Sequence, residues 1–261
     1  MEPAPQDRHR RDGAHADPDR YDDPPLAPGT GPGAGPDARP GTEPVGAAAS
    51  EGMRDYVRWH DAYDDPGSDL SARLRRVQDA IGRFLDERTG PVRVLSACAG
   101  QGHDILGVLD RRPDDADRVR GALVELDPTN AALARRRIAD RLVSLRVVEA
   151  DAGTTDAYAG LVPADLVLLV GIMGNIDTKD IERLVRSTPM LCAPGATVVW
   201  TRELQEPDLV PDIRGWFAQS GFEEVSCAPW RPGTRTALGV QRLVGPPRPL
   251  APGQRLFTVR R

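Results

Sequence analysis

From Val92 onward the chain alternates between short apolar runs and helical patterns, and this alternation leaves few folds open. The strand candidates are 92–97, 122–126, 145–150, 166–170, 197–201 and 222–228. Helical patterns at 104–109, 129–142, 178–187 and 209–219 separate most of them. Strands this short and this apolar, alternating with helices, predict a doubly wound, mostly parallel sheet covered on both faces. Two later runs, 236–243 and 255–259, read as strands joined by a Pro-rich loop. They are expected to add an antiparallel pair at the sheet edge.

The segment before Val92 divides in two. Ten prolines and seven glycines crowd the first 50 residues, which leaves almost nothing to bury. Such a stretch cannot offset its ordering entropy, so 1–50 is expected to be a disordered tail. No apolar core follows its arginines, and its acids argue against a transit peptide, so no targeting signal is expected. Residues 51–89 read as a helical lid or cap. Tyr56, Trp59, His60 and Tyr63 fall at i, i+3, i+4 and i+7, one face of a short helix. A packed helix face is the plain reading of that stripe. After a break at Pro66-Gly67, Ser68 is placed to cap a second helix, in which Leu70, Leu74, Val77, Ile81 and Phe84 keep a 3.6-residue period. The third unit, 90–261, holds the alternating pattern.

Charge and cysteine usage narrow the function classes. The net charge is −5 with both signs interspersed, unlike the basic stripe of a nucleic-acid binder. Cys98, Cys192 and Cys227 are widely spaced and form no C-x-x-C, so they read as reduced thiols of a cytoplasmic protein without a metal site. No run of 18 apolar residues exists, and no membrane partner is expected.

In an open α/β sheet, ligands gather outside the carboxyl ends of the strands, so those ends carry the most information about a ligand. The first runs V-R-V-L-S-A-C-A-G-Q-G over 92–102 into a turn built on Gly100 and Gly102. Such a turn brings backbone N–H groups to a ligand, although it also serves any tight strand-to-helix turn. The second ends in Glu125-Leu126-Asp127-Pro128, where a carboxylate can accept both hydroxyl hydrogen bonds of a ribose. Asp127, before Pro128, looks more like a helix cap. The third ends in Asp151-Ala152, where an acid beside a free backbone N–H can read the amino edge of adenine. The fourth runs into Gly171-Ile172-Met173-Gly174-Asn175, small residues that let a ligand approach the backbone.

These four ends, in this order, resemble those of the class I S-adenosylmethionine (SAM)-dependent methyltransferases, from about Gly90 to the C-terminus. That family's first motif usually reads V-L-D-x-G-x-G-x-G. Here Val94-Leu95 match, Ser96 replaces the Asp, Cys98 replaces the first Gly, and Gly100 and Gly102 keep the other two. Glu125 falls on the ribose acid and Asp151 on the adenine acid. Leu191-Cys192-Ala193-Pro194-Gly195 falls on the L-x-P-G turn before strand five. The resemblance implies a Rossmann-like, seven-stranded sheet with an antiparallel C-terminal strand. It implies SAM contacts from Ala97, Gly100, Gly102, Asp104, Glu125, Leu126, Asp151, Ala152 and Gly171. It also implies acceptor or lid contacts from Tyr56, Trp59 and Tyr63, with His60 and Asn175 as candidate catalytic residues.

The resulting expectation is a methyltransferase acting on a small molecule. The fourth strand end, G-I-M-G-N-I, lacks the N/D-P-P-Y/F pattern of enzymes that methylate exocyclic amines of DNA bases. Two other readings stay open. Loss of the motif Asp and Gly would suit a non-catalytic protein of the same fold. A nicotinamide-dependent oxidoreductase needs a third Gly or Ala where Ile105 stands.

Overall fold

A computed structural model describes Tyr63, Asp65 and residues 67–228 and 235–260. The expected tail and Tyr56, Trp59 and His60 lie outside the described residues. Helix α1 (Asp69–Asp86) begins where the sequence places it: the Ser68 hydroxyl accepts the Ser71 N–H at 3.0 Å. Strands β1 (Val92–Ala97), β2 (Val119–Glu125), β3 (Ser144–Glu149), β4 (Ala164–Leu169) and β5 (Cys192–Glu203) follow. Between them come helices α2 (His103–Leu109), α3 (Pro113–Ala116), α4 (Pro128–Ala139) and α5 (Thr178–Ser187). Helix α6 (Val210–Gln219) and strands β6 (Phe222–Ala228) and β7 (Thr236–Leu243) complete the domain.

The seven strands lie in the order β3-β2-β1-β4-β5-β7-β6. The first five pair in parallel, while β7 is antiparallel to both β5 and β6. The chain order turns back between β1 and β4, which opens a crevice at their carboxyl ends. Side chains alternate between two cores, one on each face of the sheet. Val77, Ile81, Phe84 and Leu85 of α1 join Val94, Leu123 and Leu168 on one face. Ile181 and Leu184 of α5 and Ile213 and Phe217 of α6 join Leu95, Val167 and Trp200 on the other. Where Trp200 crosses β7, a Cβ on Gly239 would lie 2.2 Å from its ring, so only glycine leaves room.

The sequence reading needs correction at the C-terminal end. Residues 255–259 do not form a strand, and the edge pair is β7 with β6. The last segment instead crosses the carboxyl ends of the sheet as a strap, bridging Thr154 through Arg255 and Ile176 through Val259. Its apolar residues are real core formers, but the neighbours Leu256 and Phe257 (both 1% exposed) fill the core under the loops rather than a sheet face. Helix α4 also stops three residues short of the expected end, leaving Leu142 exposed. The turn expected at 191–195 sits inside β5, where the register against β4 shifts and Gly195 takes a positive φ of 70°. Among the described residues, no helix is long and apolar enough to cross a membrane.

Candidate active site

At the end of β1 the chain turns through three left-handed residues, Cys98 (φ 49°), Gly100 (φ 55°) and Gly102 (φ 75°). A Cβ at Gly102 would also press on Leu123 at 2.9 Å, so packing and conformation both call for glycine there. Cys98 keeps the backbone shape of the glycine it replaces, at a cost of about 1–2 kcal/mol for a residue with a Cβ. Burial drives its thiol pKa up, and the charges of Glu125 and Asp151 push the same way, so the group stays a neutral thiol.

Glu125 organises this loop. Its Oε2 accepts the Gly100 N–H at 2.7 Å, and its Oε1 accepts the Asp127 N–H at 2.8 Å. Burial raises its pKa, while those two N–H donors oppose the shift. Each oxygen keeps a second lone pair for a ligand hydroxyl. Asp127 is the cap of α4, its Oδ1 accepting the Asn130 N–H at 2.8 Å, which leaves the strand-end role to Glu125. The next side chain, Leu126, is 63% exposed beside the crevice. Ala97, at the start of the turn, is buried in the core.

At the end of β3, Asp151 Oδ1 accepts the Gly153 N–H at 2.8 Å and Oδ2 meets Arg255 of the strap at 2.6 Å. Ala152 is buried at 3% exposure, and no acceptor among the described residues pairs with its N–H. That donor is left for solvent or for an acceptor from outside the chain. Tyr158, fully buried beneath, donates to the Ala152 carbonyl at 2.6 Å and fixes that turn.

The β4 loop is pinned from three sides. Thr201 Oγ1 accepts the Gly171 N–H at 2.9 Å, the Asn175 side-chain amide donates to the Gly171 carbonyl at 2.7 Å, and Arg202 donates to the Met173 carbonyl at 2.7 Å. Asn175 thus has a structural task, closing the loop on itself, and also lines a cavity of about 270 Å³. Arg73, Gly171, Thr201, Glu203 and Arg235 share that lining. A larger cavity, about 360 Å³, lies between α1 and α2 and holds none of the strand-end residues.

Tyr63 and Asp104 meet on the α1 side of the crevice. The Tyr63 ring packs on His103 with centroids 4.7 Å apart, and its hydroxyl accepts from Arg73 at 2.9 Å. Burial pushes the Tyr63 pKa up to about 12, so the phenol is protonated at neutral pH. Burial likewise lifts Asp104 to about 6, with Arg73 opposing. The His103 ring lies 3.4 Å from Gln101 Oε1 on one nitrogen and 3.3 Å from Arg137 on the other. Among the described residues, no cluster of three or more His, Cys, Asp or Glu could hold a metal ion.

Sequence reasoning singles out residues at the strand ends and gives no sign of those that reach them from elsewhere. Arg73, Thr201, Arg202 and Arg255 carry no motif. The one signal for Arg255 was its place at the head of a short apolar run, and that run suggested a strand.

No family model matches this sequence, and no curated protein does. Solved structures do match. An O-methyltransferase family protein from Burkholderia thailandensis superposes with a TM-score of 0.55 at 18% identity over 77% of this chain, spanning 62% of that protein's length. Magnesium protoporphyrin IX methyltransferase from Synechocystis PCC 6803, solved with bound SAM, gives 0.56 at 13% identity over 72% of this chain and 90% of its own. The CurJ carbon methyltransferase gives 0.59 at 14% identity over 73% of this chain and 59% of its own. The fold is that of the class I SAM-dependent methyltransferases.

Proposed function

We propose that this chain binds SAM and transfers its methyl group to a small-molecule acceptor. One observation carries the reading: the unpaired, buried Ala152 N–H beside the Asp151 carboxylate. Together they offer one donor and one acceptor, the complement of the amino-pyrimidine edge of adenine. The residues around that edge fit the rest of the cofactor. Leu126 offers an exposed apolar face for the base, and Glu125 offers free lone pairs to a ribose. Gly100 and Gly102 let the loop turn through left-handed conformations beside that ligand.

When bound, SAM supplies an electrophilic methyl on a sulfonium, and the protein's part is to hold the acceptor in line and exclude water. The 270 Å³ cavity at the ends of β4 and β5 is of a size for a small acceptor. Gly171 and Gly174 leave room there, and Asn175, tied to the Gly171 carbonyl, keeps the loop in one shape. Of the candidate bases, His103 is engaged on both ring nitrogens. Asp104, with a pKa of about 6, is mostly ionised at neutral pH and can take a proton from a nearby acceptor.

Calorimetric titration with S-adenosylhomocysteine tests the proposal. Micromolar binding to the full chain, absent for NADH and lost in Glu125→Ala, is the expected result. Absence of binding to the wild-type chain would overturn it. Binding without methyl transfer to any small-molecule acceptor would favour a non-catalytic protein of the same fold.

A further inference from the structure

The strap that crosses the sheet ends is fastened to the Asp151 turn without need of the Arg255 side chain. The Leu256 N–H donates to the Gly153 carbonyl at 2.7 Å, and the Thr155 N–H to the Gln254 carbonyl at 2.9 Å. The Gln254 N–H reaches Thr155 Oγ1 at 2.9 Å, and the Gly253 N–H reaches Asp156 Oδ1 at 2.8 Å. Leu256 and Phe257 are buried in the core beneath. Gly153 has no room for a side chain: a Cβ there would lie 2.3 Å from the Phe257 carbonyl and 3.0 Å from Arg255. The segment therefore sits tightly against the Asp151 turn whatever residue 255 carries.

The Arg255–Asp151 pair adds little to that hold. Their side chains are 48% and 43% exposed, and ion pairs in such surroundings contribute little to stability. What the pair does is geometric. The Gly153 N–H takes one Asp151 oxygen at 2.8 Å and Arg255 takes the other at 2.6 Å, so the plane of the carboxylate is set from both sides. The remaining lone pairs then point in fixed directions beside the unpaired Ala152 N–H.

We infer that Arg255 is a positioning residue for base recognition: it orients Asp151 so that the β3 end accepts a 6-amino purine and rejects a 6-oxo one. The inference rests on the cofactor reading above and adds to it a source of nucleobase specificity that lies about 100 residues away in sequence. A 6-oxo purine presents an acceptor where Asp151 needs a donor, and a donor where the Ala152 N–H needs an acceptor. A site with a fixed carboxylate should reject it strongly, whereas one free to rotate tolerates it.

The test is calorimetry on the full chain with S-adenosylhomocysteine and with S-inosylhomocysteine, its 6-oxo analogue. The wild-type chain should favour the adenosyl compound by about 100-fold or more. Arg255→Met should keep the wild-type melting temperature, weaken adenosyl binding about tenfold and leave inosyl binding unchanged. Arg255→Lys, which keeps a donor, should recover part of the ratio. An unchanged ratio in Arg255→Met, or an equal loss for both compounds, would overturn the inference, the latter marking the strap as a structural element only. Failure of the wild-type chain to bind S-adenosylhomocysteine is a separate result, visible before any substitution, and it removes the cofactor reading itself.

Discussion

Glu125 and Asp151 lie at the carboxyl ends of two neighbouring parallel strands, β2 and β3, and the chain holds them in opposite ways. Glu125 is 9% exposed, and backbone N–H groups of Gly100 and Asp127 occupy both oxygens. Asp151 is 43% exposed on its side chain and shares its oxygens between its own turn and an arginine 104 residues later. At the first end, one carboxylate holds the loop together and, in the proposed function, also meets the cofactor, so one side chain carries both stability and the proposed recognition. At the second, the backbone of the strap supplies the stability, which leaves the side chains to the recognition proposed above. The difference teaches where a substitution can change binding without unfolding the protein.

Glu125→Ala should have the largest effect. It leaves two N–H donors without their charged acceptor, and the loss of stability should be about 2–4 kcal/mol, with S-adenosylhomocysteine binding abolished. Chemical denaturation and calorimetry would measure both. A variant that lost binding but kept full stability would break the comparison, because the two roles would then be separable at β2 as well.

The proton behaviour of the same side of the crevice gives the next largest effect. Burial lifts the Asp104 carboxyl from its ordinary 3.8 to about 6, so the folded chain binds more protons than the unfolded chain between those values. Its contribution to stability therefore falls as pH rises through that window. Asp104→Asn should match the wild type near pH 4 and exceed it above pH 7, by on the order of 1–2 kcal/mol after solvent screening. Melting curves across pH 4–8 would show it. A difference independent of pH would mean that Asp104 is not driven upward by burial.

Asp151→Asn should cost less than about 1 kcal/mol of stability, since the pair it breaks is exposed, yet it should weaken S-adenosylhomocysteine about tenfold. Thermal melts and calorimetry on the same samples would measure the two together. A large drop in melting temperature would erase the contrast with Glu125. The smallest effect belongs to Cys98→Gly. Relief of the left-handed strain and loss of core contacts by the thiol act in opposite directions, so urea denaturation should find a change within about 1 kcal/mol.

The same contrast explains what the sequence made legible. Ser68 and Asp127 were readable as caps because a cap is a relation between residues three apart. Strands β1, β6 and β7 have the residue limits expected of them, since short apolar runs bounded by glycine or proline mark their own ends. Gly100, Glu125 and Asp151 could be singled out because each lies at or within three residues of a strand's carboxyl end. Arg255 was not, because its meaning depends on a crossing of the sheet that no local period records. Its stretch is apolar like a strand while bridging to two different loops. The roles of Thr201 and Arg202 were hidden in the same way: both look like the polar end of β5 until the β4 loop folds against them.

The placement of β7 between β5 and β6 has a consequence for the order in which the molecule can be assembled. Strand β6 leaves the ribosome before β7, yet β7 is the strand it pairs with. Until Thr236–Leu243 has emerged, the nascent sheet ends at β5 with its hydrogen-bonding edge bare, and Phe222–Ala228 waits as a second unpaired ribbon. Bare edges of this kind invite pairing with other chains. On arrival, one eight-residue strand pairs with both at once, which makes the insertion of β7 the step that turns two bare ribbons into one sheet with β6 at its edge.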